Sequence, residues 1–186
     1  MSLKLHIVVV FLGWVVLFTI LPFYTLAKDS SEQLFQFAEE LFKEGEFYRA
    51  ITEYRRFLSY FPESDEALDA HFRIFECYFY GERYSDAMAW SRRTQNSYPQ
   101  KEVVNQTNFN SGKCLFKLEN YPGARHHFSS VVAAGDDSAL IYPARYWIGL
   151  SYLKEDKWEE ASNEFGAVPS NSFLFAKSQF ATQRAL

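Results

Sequence analysis

Residues 34–62 read LFQFAEELFKEGEFYRAITEYRRFLSYFP, and this stretch decides the fold. Leu34, Phe37, Ala38, Leu41 and Phe42 follow i, i+3, i+4, i+7, i+8 spacing, as one apolar helix face requires. Glu44-Gly45-Glu46 interrupts that pattern, and Gly45 suits a helix end. Phe47, Ala50, Ile51, Tyr54, Phe57 and Leu58 then lay out a second amphipathic helix, stopped by Phe61-Pro62. The unit is helix–turn–helix.

The unit returns along the chain. Ala50, Ala87, Ala124 and Ala161 stand 37 residues apart, and Phe47, Tyr84, Tyr121 and Trp158 keep step three places before them. Leu41, Tyr78, Leu115 and Tyr152 form a third column at the same interval. A fixed period of this length marks a stacked-repeat architecture, in which each unit leans on its neighbours. Ala38, Gly112 and Gly149 are small residues placed where the two helices of a unit press together. Phe75 breaks that column, so the second unit must pack differently there. The periodicity predicts helices near 31–44, 47–60, 65–80, 84–97, 102–118, 121–133, 142–155 and 158–167, with one more from about 172. Pro122 and Pro143 are expected in first turns, where a missing N–H costs little.

Residue by residue, the first unit resembles the tetratricopeptide repeat. It reads L34-x2-F37-A38-x2-L41-x3-G45-x-F47-x2-A50-x3-Y54-x2-F57-x4-P62, and the likeness extends over residues 31–168. The period exceeds the family's usual length of about 34 by nearly one helical turn, which predicts an extra turn at the start of each first helix. The resemblance implies an all-α, right-handed α-solenoid of four helix–turn–helix repeats, over 31–64, 65–101, 102–137 and 138–169, plus a C-terminal helix over 172–186. Long units ending in Phe-Pro look like periplasmic members that serve bacterial envelope complexes, of the Tol-Pal-associated or outer-membrane assembly type.

Ahead of the repeats, Lys4 gives a basic start, Ile7 to Leu21 is an uncharged apolar run, and Thr25-Leu26-Ala27 fits a cleavage site. Residues 1–27 are therefore expected to be a secretory signal peptide, leaving a domain over 28–186. An uncleaved inner-membrane anchor is the alternative, because Ile7 to Leu26 is long enough to span a bilayer. Either reading puts the domain in the periplasm or another exported compartment. The formal charge of −4 argues against nucleic acid as a partner, since phosphate affinity comes from clustered Lys and Arg. Cys77 and Cys114 also stand 37 residues apart, at one column of successive units. Equivalent helices of stacked pairs lie about 10 Å apart or more, beyond the ~7 Å that a disulfide tolerates, so free thiols are expected.

Two columns on the first helices bear on function. One is Phe35, Phe72, Phe109 and Tyr146; seven residues on, the other is Phe42, Phe79, Phe116 and Leu153. Residues seven apart share a helix face. By resemblance to the family, both columns face the concave groove, and Lys43, Tyr80, Lys117 and Lys154 rim it. Aromatic rings favour a binding role because they give large contact area at low entropy cost. A protein or peptide partner is expected, another envelope protein, with membrane contact only through a retained leader. The family's polar clamp for C-terminal carboxylates is missing: Phe35 and Glu39, then Phe72 and Glu76, occupy its places. No HExxH, nucleophile elbow, phosphate-binding glycine loop or CxxC is present, so no enzyme, cofactor or metal is expected. His71 reads as a structural residue, and His126-His127 are adjacent where a helical metal pair would need i, i+4 spacing. The alternative to a binding scaffold is a self-associating structural subunit. The last helix either caps the repeats or docks a partner.

Overall fold

A computed structural model describes residues 30–135, 138–170, 172 and 174–185. The predicted leader over 1–27 lies outside them. Two compact units divide the chain, Met1–Ala70 and His71–Leu186, with the boundary inside a helix. The described elements are all helical: α1 (30–43), α2 (Phe47–Tyr60), α3 (Ala67–Tyr80), α4 (Tyr84–Ser97), α5 (Lys101–Lys117), α6 (Tyr121–Ala134), α7 (Ser138–Leu153), α8 (Trp158–Gly166) and α9 (Phe175–Ala185). None of the described helices is long and apolar enough to cross a membrane.

The period is written most clearly in the turns. Gly45, Glu82, Glu119 and Asp156 all adopt positive φ, between 58° and 78°, at the same place in each unit. The next residue's N–H reaches back to the third column: Glu46 to Leu41 O, Arg83 to Tyr78 O, Asn120 to Leu115 O and Lys157 to Tyr152 O, at 2.8–3.0 Å. The left-handed residue itself donates to Phe42, Phe79, Phe116 or Leu153. Each first helix thus ends in a Schellman motif, which satisfies the carbonyls its last turn would otherwise orphan. Every hairpin is closed by the same hydrogen bonds, although only one of the four turns has glycine at the left-handed position.

Packing within a unit follows the small-residue column. In the first unit Ala38, Leu41, Ala50, Ile51, Tyr54 and Phe57 are buried, and the Tyr54 hydroxyl donates to Glu39 Oε1 at 2.6 Å. In the third and fourth repeats, a Cβ on Gly112 would meet the Phe128 ring at 2.7 Å, and one on Gly149 would meet Phe165 at 2.6 Å. Glycine is required there by close approach, not by φ. The irregularity at Phe75 has a counterpart: where Tyr54, Phe128 and Phe165 supply a ring, the position is Ser91. The second repeat inverts large and small, and both Phe75 and Ser91 are 2% exposed. Ser91 Oγ donates to Thr107 O at 3.1 Å, so its hydroxyl is satisfied.

From α4 to α9 each helix packs on its successor, and α5 also touches α7. The added length of the period falls unevenly. α5 and α7 reach 17 and 16 residues while α3 keeps 14, so the expected extra turn is not general. α7 begins at Ser138, ahead of the predicted 142, which places Pro143 inside the helix rather than in its first turn. Pro122 does lie in the first turn of α6, where Asn120 Oδ1 accepts from Gly123 N–H.

Candidate functional site

All eight residues of the two predicted wall columns are half-buried, and Lys43, Tyr80, Lys117 and Lys154 are exposed. Half-burial has a repeated cause for six of the eight: each of these rings leans on the second helix of its own hairpin. In the first unit Phe35 lies edge-on to Tyr54 and Phe57, and Phe42 lies 5.9 Å from Phe47. In the second unit Phe79 meets Tyr84, Phe109 meets Phe128, Phe116 meets Tyr121 and Tyr146 meets Phe165, all at 5.4–5.7 Å between centroids. Phe72 has Ser91 in the place where the others of its column have a ring. Two of these rings are engaged further: Phe116 also meets Trp147 of α7 at 5.0 Å, and the Lys113 ammonium lies over Phe79.

Phe116, Tyr146 and Lys154 come together around one hollow of about 680 Å³ in the second unit. Leu150 and Leu153 of α7 extend its apolar lining, and Trp158 enters from the start of α8. The remaining wall is α9, through Ala176, Lys177 and Phe180. Phe180 and Trp158 are 62% and 46% exposed, a large apolar surface to leave in water. Trp158 belongs to the repeating column of Phe47, Tyr84 and Tyr121, whereas Phe180 lies beyond the four repeats. Only the seat of α9 against α8 brings them to one place.

The charges at the hollow are of one sign. Lys154 and Lys177 are its only charged lining residues, both are exposed, and neither has an ion-pair partner among the described residues. Glu155, the acid next to Lys154 in the chain, is already engaged by Arg125 at 2.6 Å and Lys157 at 3.1 Å. Elsewhere in the second unit Lys113 lays its ammonium 4.6 Å from the Phe79 centroid and 5.9 Å from Phe75. Burial lowers the Lys113 pKa, against the opposing pull of Glu76 and Cys114.

The residues most suggestive of chemistry are built into structure. His71 stacks on Trp90 at 5.3 Å, meets Tyr98 edge-on, and places Nδ1 3.3 Å from Thr94 Oγ1. Its backbone carbonyl accepts from Trp90 Nε1 at 2.9 Å. Burial, assisted by the Arg93 charge, lowers its pKa from 6.5 to about 4. Cys77 and Cys114 are free and buried, and burial pushes the Cys114 thiol up to about 12, far from a reactive thiolate. His127 Nδ1 lies 3.1 Å from Asn108 Oδ1, while His126 is exposed.

No family model matches the chain. The regulatory protein RapC of Bacillus subtilis (strain 168) is 27% identical, across 64% of this chain and 34% of RapC. The chain thus spans about a third of that relative's length. The apo form of RapI superposes with a TM-score of 0.71 at 19% identity, over 82% of this chain and 46% of RapI. YrrB, described as a TPR protein with an unusual peptide-binding site, gives 0.57 at 20% identity, over 82% of this chain and 74% of its own. The fold is tetratricopeptide-like. At these identities the structural likeness speaks for the fold alone.

Proposed function

We propose that this chain is a non-catalytic recognition module holding a peptide, or a segment of another protein, against the first helices of its later repeats. One observation carries the reading: the hollow in which Phe116, Tyr146 and Lys154 meet α9. Its volume of about 680 Å³ falls inside the range of roughly 300–1,000 Å³ typical of ligand pockets. Two of its rings, Phe116 and Tyr146, are already half-supported by the core, so little of their entropy remains to be lost on binding. YrrB, which shares the fold, is described as having a peptide-binding site. Phe72, Phe79, Tyr80, Phe109 and Lys117 belong to the proposed contact surface of the second unit; Phe35, Phe42 and Lys43 form the corresponding surface of the first.

The test is selection of binders from a random dodecapeptide phage library on the full chain, followed by fluorescence anisotropy. Trp158→Ala with Phe180→Ala is expected to weaken the selected peptides at least tenfold, as loss of anchor residues does. A library that returns no binder, or binders indifferent to both substitutions, sinks the reading.

For the setting, our proposal is the bacterial envelope, on the strength of Lys4, the apolar run and Thr25-Leu26-Ala27. The regulatory description of RapC favours a second reading, a peptide-responsive regulator with no envelope role. Cell fractionation and the mass of the mature product separate the two. An exported product beginning after residue 27 supports the first; an intact chain in the cytoplasm supports the second.

A further inference from the structure

We infer that the hollow beside α9 selects segments that join a large apolar side chain to a carboxylate. This deepens the recognition reading above and rests on it. The chain as a whole carries a formal charge of −4, yet the charged groups at the hollow, among the described residues, are two lysines. They come from different elements: Lys154 directly follows α7, and Lys177 lies in the first turn of α9. The local sign is therefore opposite to the global one.

Among the described residues neither ammonium has an ion-pair partner. Glu155 would be the obvious partner for Lys154, but Arg125 and Lys157 hold it at 2.6 and 3.1 Å. Two uncommitted cations beside Tyr146, Leu150, Trp158 and Phe180 make a mixed surface, apolar in the middle and positive at the edge. An apolar guest would fill the hollow but leave both cations unused. A basic guest would meet like charge on two sides. A guest carrying a carboxylate next to its apolar side chain satisfies both parts, because the carboxylate accepts charge-assisted hydrogen bonds from lysine ammonium. The apolar contacts exclude water and so reduce the screening of that pair.

The experiment compares three arms on the full chain, starting from the dodecapeptides selected above. Sequencing of the selected pool should show Asp or Glu enriched beside Phe, Tyr, Trp or Leu. Lys154→Gln with Lys177→Gln should weaken the best acidic peptide about tenfold or more, and abolish the weakening that wild type shows between 50 and 500 mM NaCl. Replacing that peptide's carboxylates by amides should weaken it on wild type by a similar factor, and have no further effect on the doubly substituted chain. Both lysines are exposed, so circular dichroism should show the variant folded. Neutral or basic peptides as the selected class, or acidic peptides indifferent to the lysine changes, overturn the inference. If those same peptides still respond to Trp158→Ala with Phe180→Ala, peptide recognition stands and only its chemistry was misassigned. A library yielding no binder removes both.

Discussion

A single hydrogen separates Gly149 from a clash, because a methyl in its place would stand 2.6 Å from the ring of the fully buried Phe165. Alanine gains about 1 kcal/mol in helix propensity over glycine, but overpacking a rigid buried ring costs about 1–3 kcal/mol. Gly149→Ala is thus expected to destabilise the chain by up to about 2 kcal/mol, read as a lower urea midpoint. The reverse choice was made at Phe75, where the ring sits on α3 and Ser91 gives way on α4. His71 carries a pH signature with a definite sign. Its pKa falls from 6.5 to about 4 on folding, so over that interval the unfolded chain binds the extra proton. The neutral imidazole therefore contributes stability that is complete above pH 6.5 and lost as the pH falls to 4, at most about 3 kcal/mol. Thermal melts between pH 7.5 and 4 should show this loss, and His71→Leu should flatten that part of the profile.

The hairpin turns show what a propensity argument reaches and what it misses. Gly45 announced a left-handed helix end, whereas Glu82, Glu119 and Asp156 adopt the same conformation without any residue-type signal. Tertiary packing holds them there, since each second helix must fold back onto its first for the alanine column to be buried. A side chain in the left-handed region costs about 1–2 kcal/mol relative to its preferred conformations, and glycine escapes that steric cost. Glu119→Gly is accordingly expected to stabilise the chain by about 1 kcal/mol, with a higher urea midpoint at unchanged slope. The start of α7 departs from the periodic expectation for a related reason. Pro143 looked like a first-turn residue, but the helix had already begun at Ser138 and runs through it.

Fold and site were legible to different degrees. A fixed period of 37 residues with small, aromatic and apolar columns constrains helix pairing strongly, because slipping the register would misplace every buried alanine at once. The site depends on something periodicity does not encode: which rings remain open after each hairpin has used one side of them. Phe116 and Tyr146 were identifiable from their columns, and Lys154 from its rim. Trp158, Lys177 and Phe180 were not, because their meeting requires α9 to seat on α8 after the periodic pattern has ended.

That last helix has a consequence of its own. Among the described residues α9 has no hairpin mate; it is gripped through α8, and its Phe180 projects into water. A guest lodged between α7 and Phe180 would lend α9 the support a partner helix would otherwise give. By thermodynamic reciprocity, anything that fastens α9 must then tighten the guest by the same factor. In that case α9 would act as a latch whose closure and cargo are weighed on one balance.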